Sequence, residues 1–392
     1  MLRLSVSQET NEVPYIFNAT GTRVYSFEEA LFYVYNNWRL TADDFLCDAF
    51  TKWLKDIGLS YLSTKVAKLA LEKSFSKKIL TFLGLSNFFD ESELETAANA
   101  LSKWEARRDY ENLKERADFF VRRGEPGKAI PLYTNAISFD ENVSLYNNLG
   151  VAYMQLGMYK NAFETLQKAS LIQPKNTEVL FALSEAAINA GFLEEAKLLL
   201  ERCREEITSA SPVSSYNKAK LTFLLGELAW KEKKHKNSIT HLQEAISQSG
   251  GNPHFIYSFV KKLTSMRQFE TALKTLGEIE EKNHEYYVNE ANVHAVAMDL
   301  PKAIKSLKQA ISLSEQKSAA LYTKLAEYTR KDYNLSGAEL WIIKALECEP
   351  DNEIAKLEYA KIKKAQGKSR DYQMSLGEIL EYFKKRSRIN SN

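Results

Sequence analysis

The side chains that could bind a metal ion or act as a nucleophile are few in this sequence and lie far apart. A zinc site needs closely spaced cysteine and histidine ligands, because four of them must reach one ion. No histidine lies at such a spacing from a cysteine, and Cys47 stands among apolar neighbours, which favours a core residue over a reactive thiolate. Glycine-rich phosphate loops, GxSxG elbows, HExxH helices and EF-hand loops are also missing. We therefore predict that the protein is not an enzyme and has no metal site and no cofactor.

A second kind of chemistry, contact with nucleic-acid phosphates, is suggested by residues 50–69. Their pattern is that of a helix-turn-helix, with a turn at Gly58 and a second helix that carries Lys65 and Lys68. A helix that ends at glycine and is followed by another helix is, however, ordinary in any helical bundle. The second helix also has no Arg, Asn or Gln with which to read a base edge. We favour a bundle, with a transcriptional regulator that binds DNA near residues 50–78 as the alternative.

The charge balance and the cysteine content indicate which partners and which cellular compartment suit the chain. Its 392 residues include 53 basic and 51 acidic ones, a net charge of +2, which predicts no general attraction to nucleic acid or to an anionic membrane. Three widely separated cysteines favour a reducing compartment. No apolar run approaches the roughly 18 residues of a membrane-spanning helix, and the N-terminus does not resemble a signal peptide. We therefore expect a cytoplasmic protein without membrane insertion.

The elements that position any binding residues are helices, and residues 145–174 show their pattern most clearly. Apolar and small residues recur there at spacings of three and four, which places them on one face of each of two helices. The first helix ends at Gly157 and the second before Pro174. Gly150 and Ala162 lie where the two helices must approach closely, because a larger side chain would separate them.

This helix pair recurs along the chain. Ala129, Ala162 and Ala196 are separated by 33 and 34 residues, whereas an inserted loop at 209–215 makes the next step, to Ser238, 42 residues long. In motif and period, residues from about 110 to 370 resemble the tetratricopeptide repeat family. The resemblance implies an all-α fold, an α-solenoid in which helix-turn-helix repeats form a right-handed superhelix. It also implies a concave face, built by the first helix of each repeat, that binds a peptide or a helix of another protein.

Residues beside the packing stripe of each first helix should point into that concave groove. The amides among them could bond to a peptide backbone, and the aromatic ones could serve as apolar anchors. The order of charges, acidic in the early repeats and basic later, would align a partner segment of opposite polarity. The predicted groove residues are Lys114, Asn147, Asn148, Val151, Gln155, Glu178, Phe181, Glu185, Asn189, Lys220, Phe223, Glu227, Trp230, Tyr257, Lys261, Asn289 and Asn292.

Some members of the family bind the C-terminal carboxylate of a chaperone through basic and amide residues in three successive repeats. The positions that match this clamp are Lys114, Asp118, Asn148, Glu178 and Ala182. Two of them keep the expected type, whereas three do not, and the two acids would repel a carboxylate. We therefore do not expect a chaperone tail as the ligand.

Residues 1–109 do not follow the repeat pattern and match no family that we can name. Two β-prone runs around a turn at residues 18–21 predict a hairpin or an extended arm. The helix that follows, over Phe27 to Trp38, is aromatic on most sides and should be buried or lie at an interface. The predicted helix N-caps of this region are Ser26 (in a capping box with Glu29), Thr41 and Asp90.

The sequence thus predicts three regions. They are an aromatic-rich helical module at 1–109, regular repeats at 110–210, and divergent repeats with a capping helix and a basic tail at 211–392. The function that we predict is a scaffold or adaptor for protein–protein interaction.

Overall fold

The computed structural model describes residues 13–17, 20–209, 214–314, 318–349 and 352–367. The chain divides into two compact units, Met1–Ala186 and Ala187–Asn392. Several predicted features lie outside the described residues: part of the hairpin turn (18 and 19), most of the inserted loop (210–213), the capping helix at 376–383 and the basic tail at 384–388. The predicted boundaries at 109 and 210 stay predictions.

The first unit begins with the predicted hairpin. Strands β1 (Tyr15–Phe17) and β2 (Thr22–Val24) are antiparallel, with Tyr15 opposite Val24 and Phe17 opposite Thr22. Tyr15, Phe17 and Val24 are buried, because alternate residues of a strand point to the same face and that face covers the helical core.

Five helices complete the N-terminal module. They are α1 (Phe27–Phe45), α2 (Asp48–Asp56), α3 (Ser60–Leu69), α4 (Phe75–Leu83) and α5 (Glu91–Glu105). Asp90 caps α5 in a reciprocal capping box with Glu93. Ser26 accepts a hydrogen bond from the Glu29 amide as predicted, but the Glu29 carboxylate accepts its return bond from Tyr25 N at 2.6 Å.

The predicted cap at Thr41 is wrong. Thr41 lies inside α1, where its hydroxyl donates to the carbonyl oxygen of Asn37 at 3.0 Å. The chain bends within α1 at Asn37, whose φ of −132° is not helical, and the next helix begins only after Cys47. A hydroxyl that bonds four residues back along a helix looks the same in sequence as one that caps the next helix.

The core of this module is aromatic, as predicted. Phe50 and Phe82 are fully buried, and the Phe45 ring lies 4.3 Å from the Phe82 ring. Trp38 of α1 meets Trp104 of α5 edge to face at 5.4 Å. Leu40 of α1 belongs instead to the core of the first repeat. The module therefore shares packing with the repeat that follows it.

The repeats of the first unit are helix pairs, as predicted. They comprise α6 (Asp109–Arg122), α7 (Pro126–Phe139), α8 (Val143–Gln155) and α9 (Tyr159–Ile172), and the unit boundary falls within α10 (Thr177–Ala190). A Cβ at Gly150 would lie only 2.5 Å from Leu166 Cγ, so glycine permits α8 and α9 to approach closely. The left-handed φ of +72° at Gly157 then turns the chain into α9.

The second unit continues with further helix pairs. It contains α11 (Leu193–Ser209), α12 (Ser215–Lys231), α13 (His235–Gln248), α14 (Pro253–Ser265), α15 (Phe269–Leu276), α16 (His284–Val296), α17 (Leu300–Leu313), α18 (Ala319–Lys331), α19 (Leu335–Cys348) and α20 (Glu353–Ala365). Gly226 repeats the close approach of Gly150, since its Cβ would lie 2.9 Å from Leu242 Cγ. Ser238, in the position of the marker alanine, is buried and donates to the Gly226 carbonyl at 2.8 Å.

Candidate protein-binding surface

The helix pairs are numbered in chain order, from repeat one (α6 and α7) to repeat seven (α18 and α19), and the first helix of each pair is called its first helix. Two rows of residues along the first helices describe the candidate surface. Both are counted from the small or apolar anchor residue of each first helix, such as Ala117, Gly150 or Gly226. Row one is the residue after the anchor and comprises Asp118, Val151, Glu185, Glu227, Lys261, Asn292 and Glu327. Row two is the residue two before the anchor and comprises Glu115, Asn148, Ala182, Leu224, Ser258, Asn289 and Lys324.

In the first unit, Asp118 in row one of repeat one contacts Asn148 in row two of repeat two. Asp118 Oδ1 accepts hydrogen bonds from the Tyr133 hydroxyl at 2.5 Å and from Asn148 Nδ2 at 3.0 Å. Its other oxygen pairs with Lys114 Nζ at 2.7 Å. Burial, together with the Asp118 carboxylate, raises the pKa of the Tyr133 hydroxyl far above its usual range. The side chains of two successive first helices are therefore joined directly.

This contact occupies the two groups that matched a carboxylate clamp. The Lys114 ammonium and the Asn148 amide both bind Asp118, so a ligand carboxylate would have to compete with one that is already in place. Asn147 is half-buried, and its Oδ1 is buried without a hydrogen-bond partner among the described residues. Val151 is half-buried and Gln155 is exposed.

The same arrangement recurs in the second unit around Glu227. Its Oε1 accepts from the Ser258 hydroxyl at 2.5 Å and from Lys262 Nζ at 2.6 Å. Burial lowers the pKa of Lys262, and the Glu227 charge partly opposes that shift. Trp230 is half-buried, with the Lys262 ammonium 5.7 Å from its ring centre. Lys262 was not predicted, although its spacing of four from Ser258 places both on one helical face.

Four predicted groove residues are instead buried inside the chain. Phe181, Phe223, Tyr257 and Asn289 are each 5% exposed or less. Phe223 of α12 is buried because α14, the next first helix, covers it. Its ring stacks on the ring of Phe255 in α14, with the ring centres 4.4 Å apart. Asn289 Nδ2 donates to the carbonyl oxygen of Glu285 in its own helix at 2.9 Å. These side chains therefore pack in the interior beneath the surface and support it.

The remaining predicted residues are open to solvent to different degrees. Glu178 and Lys261 are exposed. The Lys220 ammonium lies 5.3 Å from the centre of the Phe223 ring. The half-buried ones are Glu185, Asn189, Lys220 and Asn292.

The model of the tetratricopeptide repeat family matches residues 143–176, the helix pair α8 and α9. The anchor residues, and the close helix approaches at Gly150 and Gly226, show the same kind of helix pair in both units. The chain is a tetratricopeptide-repeat protein.

Individual relatives match parts of this tetratricopeptide-repeat protein. The BBSome complex member BBS4 of Bos taurus is 39% identical over 64 residues, which are 16% of this chain and only 12% of that relative. A solved tetratricopeptide repeat protein from Parabacteroides merdae shares 16% identity over 78% of this chain and 98% of its own, with a TM-score of 0.38. Pseudomonas aeruginosa pilF shares 18% identity over 58% and 98%, with a TM-score of 0.37.

The helix-turn-helix-like stretch of this repeat protein forms part of the N-terminal bundle. Helices α2 and α3 meet at the Gly58 turn, and the Ser63 hydroxyl ties them together by donating to the Thr51 carbonyl at 2.8 Å. The Lys65 ammonium lies 4.4 Å from the centre of the Tyr61 ring. DNA binding by this stretch stays the alternative hypothesis.

Within the described residues, no cluster of three or more His, Cys, Asp or Glu side chains could hold a metal ion. In the same part of the chain, no helix has the length and apolar character needed to cross a membrane.

Proposed function

We propose that this tetratricopeptide-repeat protein is a non-enzymatic scaffold or adaptor that binds an extended segment or a helix of a partner protein along its first helices. The observation that carries the proposal is the direct contact between successive first helices in each unit, Asp118 with Asn148 and Glu227 with Ser258. Each contact joins polar side chains of two successive first helices into one polar strip, Asp118 with Asn148 in the first unit and Glu227 with Ser258 in the second. Exposed groups beside each strip, such as Gln155 and Lys261, are available to a partner.

The likeness to BBS4 supports a role within a larger assembly. That relative is named as a member of the BBSome complex, and the shared stretch covers 64 residues. We propose that this chain also works as a component of a multiprotein assembly, in the cytoplasm and without inserting into a membrane. The widely spaced cysteines support the reducing compartment, since they form no disulfide framework.

Co-purification with a surface variant tests the scaffold. The variant Asn148→Ala plus Trp230→Ala removes one polar group from the strip of the first unit and one aromatic group three residues after Glu227 in the second. We expect the recovery of partner proteins to fall at least about tenfold, as it does when a hot-spot residue is lost. The partners recovered with wild type and variant would be compared by quantitative mass spectrometry.

A matched control separates loss of the surface from loss of stability. Asn161→Ala plus Trp341→Ala makes the same chemical change on the second helices α9 and α19. The control should keep the partners while losing at least as much thermal stability, since Trp341 stacks on Tyr322. Equal recovery with both variants would contradict the proposed surface.

A further inference from the structure

The turns between the two helices of repeats four to seven share one backbone conformation. In each turn, a residue with positive φ is followed by an amide that bonds back to the carbonyl oxygen five residues earlier. These closing bonds join Lys234 to Ala229, Gln268 to Leu263, Asp299 to His294, and Asn334 to Thr329. We call the four residues with positive φ the turn edge: Lys233, Arg267, Met298 and Tyr333. Their side chains leave the chain at equivalent points of equivalent turns.

Neither backbone preference nor packing explains the large side chains of the turn edge. Glycine adopts the left-handed conformation without strain and fills this position in repeats one to three, whereas a residue with a Cβ is strained there. All four side chains are exposed, Met298 by 79% and Tyr333 by 92%. Among the described residues, none of the four has a hydrogen-bond, ion-pair or ring partner for its side chain. Strain without a structural benefit is typical of functional positions, so its repetition in four successive turns indicates contact with another molecule.

The turn edge is a row, because contacts near the turns align the first helices. Glu227 of α12 pairs with Lys262 of α14 at 2.6 Å, and these residues precede their turn-edge residues by six and five positions. Tyr328 of α18 donates to Asn292 Oδ1 of α16 at 3.4 Å, five and six positions before theirs. The turns of neighbouring repeats therefore lie at the same end of their helices.

The row extends over all four repeats. The Tyr257 hydroxyl of α14 lies 3.4 Å from Oδ1 of Asn283, the N-cap of α16, so these two first helices are neighbours as well. Neighbouring helices pack with their axes roughly 8–10 Å apart, so the three steps from Lys233 to Tyr333 span about 25–30 Å. An extended chain covers that distance with about eight or nine residues.

The first half of the turn edge is basic. Lys233 and Arg267 are exposed cations. The acid beside Lys233, Glu232, already pairs with Lys234 and with Lys197, each at 2.9 Å. This half therefore offers its two cations to the carboxylates of a partner.

The second half is apolar. Val296, two residues before Met298, is 51% exposed and enlarges the apolar surface beside Met298 and Tyr333. The acid that follows Met298, Asp299, pairs with Lys302 at 2.7 Å. Methionine, tyrosine and arginine are enriched where proteins bind one another.

The charges of the four turns favour a protein segment over an anionic membrane. Residues 231–235, 265–269, 296–300 and 331–335 include five basic and three acidic ones. A membrane surface would face all of these charges at once, and the acids would offset most of the attraction. A peptide can instead place its carboxylates opposite Lys233 and Arg267 alone.

We propose that the turn edge binds an extended segment of a partner protein, with acidic residues against Lys233 and Arg267 and apolar residues against Met298 and Tyr333. This surface lies at the turns and not on the polar strips, so it goes beyond the proposed function. In repeats one to three, glycine at the same position provides no side chain for such a contact.

Fluorescence anisotropy with the full chain and labelled ten-residue peptides tests the turn edge. In one peptide, four glutamates and two glycines precede two leucines and two phenylalanines. A second peptide has the reverse order, and a third alternates the glutamates with the apolar residues. We expect one of the two ordered peptides to bind at least about tenfold more tightly than the alternating one, because only an ordered peptide can match both halves at once.

Glycine at all four positions separates binding from folding. This four-glycine variant should weaken binding of the ordered peptide at least about tenfold, since it removes every side chain of the surface. It should unfold at or above the wild-type temperature, because glycine relieves the strain, so its loss of binding would not reflect unfolding. The substitutions are Lys233→Gly, Arg267→Gly, Met298→Gly and Tyr333→Gly.

Two half variants assign a role to each half of the turn edge. Lys233→Gly plus Arg267→Gly should weaken binding and remove most of its salt dependence, because the screened charges are gone. Met298→Gly plus Tyr333→Gly should weaken binding by a similar factor and leave its salt dependence in place.

The matched control removes two lysines, a leucine and a tyrosine that are exposed on helices of the same unit. It should leave the affinity for the ordered peptide unchanged. The substitutions are Lys274→Ala, Lys305→Ala, Leu340→Ala and Tyr216→Ala.

Five results would overturn the proposal. They are failure of both ordered peptides to bind, equal affinity for the alternating peptide, equal affinity of the four-glycine variant, equal weakening by the control, and binding of phosphatidylserine vesicles in place of peptide. If both ordered peptides fail while the Asn148 and Trp230 variant loses its partners, the scaffold stands and only the turn-edge site fails. Retention of all partners by that variant would contradict the polar strips and leave the turn edge to the peptide measurement.

Discussion

Repeats one to three and repeats four to seven make the same turn between their helices with different residues. In the first group the turn residue is a glycine with positive φ: Gly124, Gly157 and Gly191. In the second group the same position holds Lys233, Arg267, Met298 and Tyr333, with φ between 61° and 67°. Side chains with a Cβ adopt this left-handed conformation only at a cost of about 1–2 kcal/mol. The packing of the helix pair therefore outweighs the preference of the turn residue.

Row-one residues also differ in whether the chain itself supplies a partner for them. The first row-one acid, Asp118, is fully bonded within the chain, whereas Lys261 in repeat five has no partner among the described residues. A hydrogen-bonded row-one side chain stabilises the fold, whereas an exposed one without a partner contributes little to stability. The predictions that follow test both contrasts, from the largest expected effect to the smallest.

The largest loss of stability, in both groups of repeats, should come from a side chain added where two helices approach closely. We expect Gly150→Val to lower the free energy of unfolding by about 3 kcal/mol, because its Cβ would overlap the fully buried Leu166. Gly226→Val should cost somewhat less, because its Cβ would lie 2.9 Å from Leu242 Cγ, against 2.5 Å for Gly150 and Leu166. Urea unfolding followed by circular dichroism measures both. Tolerance of valine at Gly226 alone would show that the divergent repeats are packed more loosely than the regular ones.

Removal of a row-one side chain should lower the free energy of unfolding more where that side chain is hydrogen-bonded within the chain than where it is not. Asp118→Ala leaves Tyr133, Asn148 and Lys114 without their shared acceptor and should cost about 2–3 kcal/mol. Lys261→Ala removes no partner and should change the free energy of unfolding by less than about 0.5 kcal/mol. Chemical denaturation of both variants gives the comparison. A large loss for Lys261→Ala would mean that this lysine has a structural role.

Exchange of turn residues should have the smallest effect, with opposite signs in the two groups. Gly157→Ala should destabilise the fold by about 1 kcal/mol, because alanine is strained at φ +72°. Met298→Gly should stabilise it by about 0.5 kcal/mol, since relief of strain exceeds the added chain entropy. Met298 is 79% exposed, so little packing is lost, and Met298→Ala serves as the control that keeps the strain. Equal unfolding temperatures for all three Met298 proteins would rule out strain at this turn.

The sequence by itself determined the helix pairs, their period and the aromatic core of the N-terminal module. These features depend on local patterns: spacings of three and four, the N-cap at Asp90, and small residues at Gly150 and Ala162. The non-glycine turns of repeats four to seven weakened the sequence pattern without altering the helix pairs, because buried anchors and not turns hold each pair together.

Only the tertiary structure decided which polar groups are available to a partner. Asp118 and Asn148 are 30 residues apart, and Glu227 and Lys262 are 35 apart, so their bonding depends on how one repeat packs against the next. The same packing buried Phe223 beneath α14. Periodicity shows which side of a helix a residue occupies, but the neighbour that covers or pairs with it is set by the three-dimensional stacking of repeats.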